Sequence, residues 1–455
     1  MRPGFSRRRF LRSGGAAAAL LAGGLPDLVP ASVRGANPPS SRIQIGCIGT
    51  GNRGFEILNL FLKHDHARVV AVCDVNRGSS GYRDEKQFLG REPAQKRVNE
   101  FYAAQAGDAG YHGCDAYTDF RDVLARKDID AVTVVVPDHW HAVMTIRACE
   151  AGKDIYCEKP MSLTVREGRA MVKAVRQHGR VLQTGSHERS NPQTRRACEL
   201  VRNGRIGRLK RVVTFVGYHN KTGPGPGWQP APVPEGFDYE TWLGPAPRAP
   251  YHPDRCLYRF RFIYAYSGGQ ITNYGAHSND MAQWAMGTDD TGPVEVELLD
   301  AKFLPPGSLF DAATETKYRC RYASGVELVC QMDKSSVGAR FEGTEGVIQT
   351  GYGGLFCEPE SLKTATLGPG DQPLYQSDDH VGNFLDCVRT RRDPVASVET
   401  GHRSATVCHL GNIAVRLGRR QPLKWDPRGE HFPGDGEANA MLGRPLRAPW
   451  SLPEL

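Results

Sequence analysis

The pattern of apolar positions changes character partway along this chain. In the first half, short apolar runs alternate with helical spacing. Ile43–Ile48 reads as a strand, and Ile57, Leu58, Phe61 and Leu62 then recur at helix spacing. A second strand covers 69–73. A polar insertion, 76–115, surrounds a helix at 94–106, and a short helix follows at 120–126. A fully apolar strand, 131–136, is stopped by Pro137, and Asp138 is expected to cap a helix over 141–150. A strand at 154–157, a helix at 164–178 and a strand at 181–184 complete the run. Strands separated by helices of this length imply a parallel, doubly wound sheet.

The second half has another rhythm. A helix spans 191–203 and a strand 209–218, followed by a Pro/Gly-rich excursion over 222–253. Such a long connection marks a functional surface or an interface arm. A helix over 271–286 places Asn273, His277 and Asp280 on one face at i, i+4 and i+7. Strands are expected at 294–303, 316–322, 325–333 and 336–349, then an amphipathic helix at 380–389 and another from Gly401. The fold class is therefore α/β: an N-terminal Rossmann doubly wound parallel sheet, plus a C-terminal α/β domain with an open, mainly antiparallel sheet. The division runs 1–35 as an export segment, 36–188 as the Rossmann domain, 189–425 as a substrate-binding and oligomerisation domain, and 426–455 as a tail over the surface.

Charge separates the N-terminus from the rest. The chain has 455 residues and a formal net charge of +8. Residues 1–36 hold six Arg and one Asp, leaving +3 on everything after them. No later block of like charge suggests a nucleic-acid face. Ser6-Arg7-Arg8-Arg9-Phe10-Leu11-Arg12 precedes a soft Gly/Ala-rich run from Gly14 to Leu25, too short to span a bilayer. Twin arginines before such a run form the pattern of a Tat export signal. Cleavage is expected after Ala31 or Gly35, giving a periplasmic or extracytoplasmic protein and the Tat machinery as an export partner. The twelve Cys contain no C-x-x-C pair, so buried free thiols are expected and a metal site is not.

The first strand runs directly into Gly49-Thr50-Gly51-Asn52-Arg53-Gly54, and Asp74 ends the second strand 20 residues beyond Gly54. A G-x-G-x-x-G between strand and helix, with an acid at this distance, is the dinucleotide fingerprint. The glycines let the backbone approach a pyrophosphate, and Asp74 accepts from ribose hydroxyls. An acid there repels a 2′-phosphate, favouring NAD over NADP, although Arg77 lies nearby.

The glycine motif, then Pro137-Asp138-His139-Trp140-His141, then Glu158-Lys159-Pro160, resembles the Gfo/Idh/MocA oxidoreductases over roughly residues 43–425. In the exported bacterial branch of that family, the resemblance implies Lys159 as the group contacting substrate hydroxyl and cofactor ribose. It implies His277 as proton acceptor or hydroxyl ligand. The family commonly carries Asp where this chain has Asn273, and Asn cannot ionise. Pro137, His139, His141 and Glu158 join the glycine motif, Asp74 and Lys159 as cofactor-side candidates, with His187 also near the nicotinamide. Tyr264, Tyr266 and Trp228 are candidates to stack on a sugar ring.

The expected function is NAD-dependent oxidation of a hydroxyl on a sugar, sugar derivative or cyclitol. Free NAD is scarce outside the cytoplasm, so export implies a tightly held cofactor that is recycled in place. A redox-neutral NAD-dependent glycoside hydrolase satisfies the same constraint, and a non-catalytic NAD-binding sensor is a third reading. The resemblance also implies a homo-oligomer, a dimer or tetramer, acting on a small carbohydrate with no nucleic-acid or membrane partner.

Overall fold

Alternation of buried strands and helices in the first half produces six parallel strands in the order β3-β2-β1-β4-β5-β6. The computed structural model describes residues 42–452, apart from 85, 218–222 and 333–336. The export segment expected at 1–35 and its cleavage sites lie outside the described residues, as do the expected strand ends at 218 and 336.

The first sheet is built from β1 (Ile43–Ile48), β2 (Ala67–Cys73), β3 (Asp115–Tyr117), β4 (Ala131–Val134), β5 (Asp154–Cys157) and β6 (Leu182–Thr184). The order reverses between β1 and β4, the switch point at which open α/β sheets bind ligands. Helices α1 (Asn52–Leu62), α2 (Arg91–Ala106), α3 (Phe120–Ala125), α4 (Asp138–Glu150) and α5 (Val165–Gln177) cover its faces. β3 begins at the last residue of the stretch read as a polar insertion, where no strand is expected. Three half-exposed residues at a sheet edge carry no apolar period to reveal it. The expected cap at Asp138 is absent: the helix begins at Asp138, and that side chain instead accepts from Ser267 Oγ at 2.5 Å.

The second half forms an eight-stranded sheet in which β7 (Leu209–Phe215) runs parallel to β10 and every other pairing is antiparallel. Its connections introduce α6 (Pro192–Arg202), α7 (Tyr239–Leu243), α8 (Gly269–Asn273) and α9 (Gly275–Met286), then β8 (Glu295–Lys302), β9 (Glu315–Arg321) and β10 (Glu327–Gln331). The strand expected at 336–349 is a hairpin, β11 (Gly338–Gly343) and β12 (Val347–Gly351), because the chain turns at 344–346. β13 (Phe356–Glu358) completes that edge. One sheet face buries against α6, α9 and a long helix near the C-terminus. Half-buried positions carry an Arg/Glu lattice that includes Arg319 with Glu297 and Glu327.

Two C-terminal helices tie the layers together. The amphipathic α10 (His380–Thr390) lays Val381, Phe384 and Leu385 against the first sheet, where Phe384 meets Phe61 and Tyr156 edge-on at 6.1 and 5.9 Å. The nearly all-buried α11 (Val398–Leu417) packs against α5, α9 and β8. Beyond it, β14 (Leu423–Lys424) pairs with β8. After α12 (Gly436–Ala440), Trp450 rests on Trp140 with 4.8 Å between ring centroids. All twelve cysteines are buried free thiols, as the lack of paired spacing implies. No helix among the described residues is long and apolar enough to cross a membrane.

Histidines buried in this frame are held neutral. Burial lowers His139 and His409 to about 3 and His380 to about 4, and all three are under 9% exposed. An unfolded histidine titrates near 6.5, so acid below that value protonates the unfolded state and not the folded one. Stability therefore falls as pH drops from about 6.5 toward 4, each such histidine contributing up to about 1.4 kcal/mol per pH unit. Thermal midpoints measured from pH 7 to 5 should decline steadily; a flat profile would contradict the neutral assignments.

Candidate functional site

Packing at the glycine turn makes a cradle. Gly49 has φ +85°, and a Cβ on it would lie 2.2 Å from the Val135 carbonyl oxygen. A Cβ on Gly54 would lie 2.0 Å from the Gly49 carbonyl oxygen, so only glycine lets α1 dock on the strand end. The first turn of α1 has neither a side-chain cap nor an acid, and its open amides and positive dipole end suit a phosphate. These are the features that a dinucleotide requires, and the residues present fit one.

The side chains of this turn divide their work. Thr50 is fully buried and donates from N and Oγ1 to Asp74 Oδ2 at 2.7 and 3.2 Å. It therefore fixes Asp74 rather than facing a ligand. Asp74 Oδ1 also accepts from Asn76 N at 2.8 Å, while burial pushes its carboxyl pKa up. Asn52 turns away from the cavity centre: its Oδ1 accepts from Arg83 N and its Nδ2 donates to Gln87. Arg53 reaches across to Glu158 at 2.8 Å and to Glu56 at 2.9 Å. Arg77, near enough in sequence to suggest a 2′-phosphate ligand, is drawn to Glu235.

Lys159 lies just beyond β5, after a buried Glu158 and before a cis bond to Pro160. Its Nζ donates to the Asn273 carbonyl oxygen at 2.8 Å and to Asn273 Oδ1 at 3.0 Å. The expected continuous helix over 271–286 is broken at Tyr274, and that break makes this contact. In an unbroken helix the His277 amide would take the Asn273 carbonyl. Here the His277 N–H goes to the Tyr274 carbonyl at 2.9 Å, leaving the Asn273 carbonyl to Lys159. Asn273 Nδ2 is itself fixed by Gln270 Oε1 at 2.8 Å. Burial drives the Lys159 pKa down to about 8; Glu158 opposes this, whereas Arg261 and Arg53 reinforce it.

His277 and His187 meet at the same wall, 4.6 Å between ring centroids. Burial pushes His277 well below its ordinary pKa and His187 down to about 4, so both are neutral bases. The Nδ1 of each is buried without a hydrogen-bond partner among the described residues. Asp280, the third member of the expected face, is structural: it pairs with Arg189 and accepts from Ser404 Oγ.

Other expected contacts are not made. Neither His139 nor His141 lines the cavity. His139 Nε2 bonds to the Trp242 carbonyl at 2.9 Å. His141 Nδ1 and Nε2 face the Pro160 and Val136 carbonyls at 2.8 and 2.9 Å, so both nitrogens donate. Burial opposes its charge, but Cys157 and Asp138 raise the pKa to about 10. This imidazolium buttresses the Lys159-Pro160 turn from behind. Tyr264, Tyr266 and Trp228 also stay out of the cavity, whose rings include Tyr258, Phe260, Tyr274 and Tyr352 instead.

The resulting cavity is about 610 Å³ and runs from Asp74 past the glycine turn and Pro137 to Lys159 and His277, within the usual range for a small-molecule site. Tyr82 and Arg261 line it and carry no signal in the sequence. Tyr82 comes from an irregular polar stretch, and Arg261 is one of several arginines in an aromatic run.

Known proteins share this architecture. Residues 43–186 match the NAD-binding Rossmann fold of the Gfo/Idh/MocA oxidoreductase family, and 197–452 match its C-terminal alpha/beta domain. Among relatives, the uncharacterized oxidoreductase YrbE of Bacillus subtilis is 42% identical over 169 residues, covering 37% of this chain and 42% of that protein. Glycosyl hydrolase family 109 protein 2 of Shewanella sp. strain ANA-3 is 34% identical over 176 residues, covering 36% of this chain and 35% of that protein. The chain thus spans less than half the length of these relatives. The aldose-aldose oxidoreductase of Caulobacter crescentus, solved with glycerol, superposes with a TM-score of 0.57 at 22% identity, covering 84% of this chain and 99% of that one. With both of its domains matched in order, the chain belongs to the Gfo/Idh/MocA oxidoreductase family.

Proposed function

We propose that this protein is an NAD-dependent oxidoreductase acting on a hydroxyl of a sugar, sugar derivative or cyclitol. The observation that carries this reading is Lys159: a desolvated amine, held by Asn273, in the same cavity as the glycine cradle. Bound NAD would supply the acceptor for a hydride. Lys159, titrating near 8, is poised to take or return the hydroxyl proton. Neutral His187 and His277 offer further proton acceptors at the same wall. Asp74, held just beyond β2, supplies the acceptor for ribose hydroxyls, and its carboxylate repels a 2′-phosphate, which favours NAD over NADP.

Retention of the cofactor is part of this reading. Tyr82 and Arg83 fold back over the glycine turn. A Cβ on Gly51 would lie only 2.7 Å from the Tyr82 ring, and Arg83 N bonds to Asn52. Phe237, from the long excursion, and Leu257, just beyond it, line the cavity beside this segment. Together they form a clasp over the nucleotide end of the cavity. Such a clasp suits an enzyme whose cofactor is regenerated in place. The structural similarity to an aldose-aldose oxidoreductase accords with regeneration by a second sugar.

The match to a glycosyl hydrolase family 109 protein favours a second outcome at the same site. Oxidation of a sugar hydroxyl acidifies the C–H beside the new carbonyl. With NAD bound to take up and give back the hydride, neutral His277 or His187 would remove that proton as the aglycone leaves, and water would add to the double bond before reduction. The product is then a free sugar with no net redox change.

The twin-Arg segment Ser6–Arg12 supports Tat export to the periplasm and retention of the cofactor through it. Homo-oligomerisation, as a dimer or tetramer, is proposed through the sheet face bearing the Arg/Glu lattice.

Three outcomes test these assignments. Lys159→Ala should lower kcat/KM by about 100-fold or more while NAD stays bound; unchanged turnover contradicts the assignment. Asn273→Asp places a carboxylate on the Lys159 ammonium and should move the pH profile of kcat/KM up by about one to three units, with no shift counting against Lys159 as the titrating group. Tyr82→Ser should speed loss of nicotinamide nucleotide on dialysis, and retention equal to the native protein would remove the clasp. A panel of glycosides read for both reduced nicotinamide and free aglycone separates net oxidation from hydrolysis.

A further inference from the structure

The carboxylates lining the cavity are all committed. Glu158 and Glu56 pair with Arg53, Asp138 accepts from Ser267 Oγ, and Asp74 accepts from Thr50 and Asn76. Arg261 lines the same cavity with no such partner: no carboxylate among the described residues lies within ion-pair distance of it. Its one hydrogen bond runs from Nη1 to the Tyr258 carbonyl at 2.5 Å. The guanidinium lies against two rings, 4.4 Å from the Tyr258 centroid and 4.7 Å from that of Phe260. Stacking fixes the plane of the fork at little further entropy cost, which suits a planar anion.

Its place in the cavity identifies which anion. The phosphate cradle is at the glycine turn. Arg261 comes from the short turn 259–262, which packs against α8, the helix that carries Asn273 and so the partner of Lys159. A half-buried cation without an ion-pair partner costs stability, and burial pushes the Arg261 pKa down, with Tyr258, Asp138 and Glu158 partly opposing it. A negatively charged substrate relieves that cost, whereas a neutral sugar leaves it in place.

We propose that the substrate is an acidic sugar and that Arg261 receives its carboxylate, orienting the ring so that a hydroxyl faces Lys159. This rests on reading the cavity as a sugar site.

The test is binding to the NAD-loaded protein by calorimetry, using D-glucuronate, D-galacturonate and D-mannuronate, each against its neutral hexose. At least one uronate should bind about tenfold or more tightly than its neutral partner. Arg261→Gln should weaken that uronate by about 30-fold or more, leaving the neutral sugar and the NAD content unchanged. Arg261→Lys, which keeps the charge and loses the fork, should fall between the two. Absence of uronate preference in every pair overturns the proposal, as does a preference that survives in a folded Arg261→Gln protein. If that variant does not fold, Arg261→Lys and the native pairs decide. The two readings fail separately. Oxidation of neutral sugars without uronate preference removes Arg261 from the account and leaves the oxidoreductase. Arg261-dependent uronate binding with neither reduced nicotinamide nor product removes the reaction and leaves the anion site.

Discussion

The contact on which the site depends is the one between the Lys159 ammonium and the carbonyl of Asn273. It joins the end of β5 in the parallel sheet to the break between α8 and α9 in the second domain. An ammonium taken out of water is costly unless acceptors replace the water it loses. The chain supplies two from one residue, the Asn273 carbonyl and its side-chain oxygen. The first exists only because the helix does not continue through Tyr274. A backbone bond forgone in the helix thus becomes the anchor of the amine.

Asn273 also sets how that amine behaves. A carboxylate in its place would hold the proton on Lys159 by direct Coulomb attraction. The amide satisfies hydrogen bonds without adding charge, so desolvation dominates and the lysine titrates near neutrality. The same economy appears around it. His187 and His277 are neutral, Glu158 is taken by Arg53, and Asp138 is held by Ser267. The one buried imidazolium, His141, faces two carbonyls behind the Lys159-Pro160 turn and braces it. The substrate end of the cavity is consequently short of negative charge, whereas the dinucleotide end is built from backbone amides and a single ribose acid.

The first sheet was legible because its signals are local. Strand runs, helix spacing, the glycine motif and Asp74 all act within a few residues, and their register fixes the fold. Lys159, His277 and Asn273 were likewise picked from the chain and come together in the cavity. What was not legible depends on distant partners. The helix period runs unbroken through Tyr274, and the break shows only in the fold, where Lys159 takes the freed Asn273 carbonyl. The hairpin of β11 and β12 reads as one strand, since both arms share an apolar pattern, and β3 is too short to have one. His139 and His141 look like ligands because they follow Pro137 at a strand end. They prove to be turned toward backbone carbonyls by the folds of α4 and of the 239–243 segment. Arg261 and Tyr82 gain meaning only when loops far apart in sequence close on one cavity.

The central claim, that this cavity holds NAD firmly for chemistry at Lys159, has one direct test. Protein purified without added nucleotide is denatured, and the released small molecules are identified by mass spectrometry and quantified against protein. NAD in an amount approaching one per chain is the predicted result. Protein that releases no nicotinamide nucleotide, or releases NADP in preference to NAD, would contradict it.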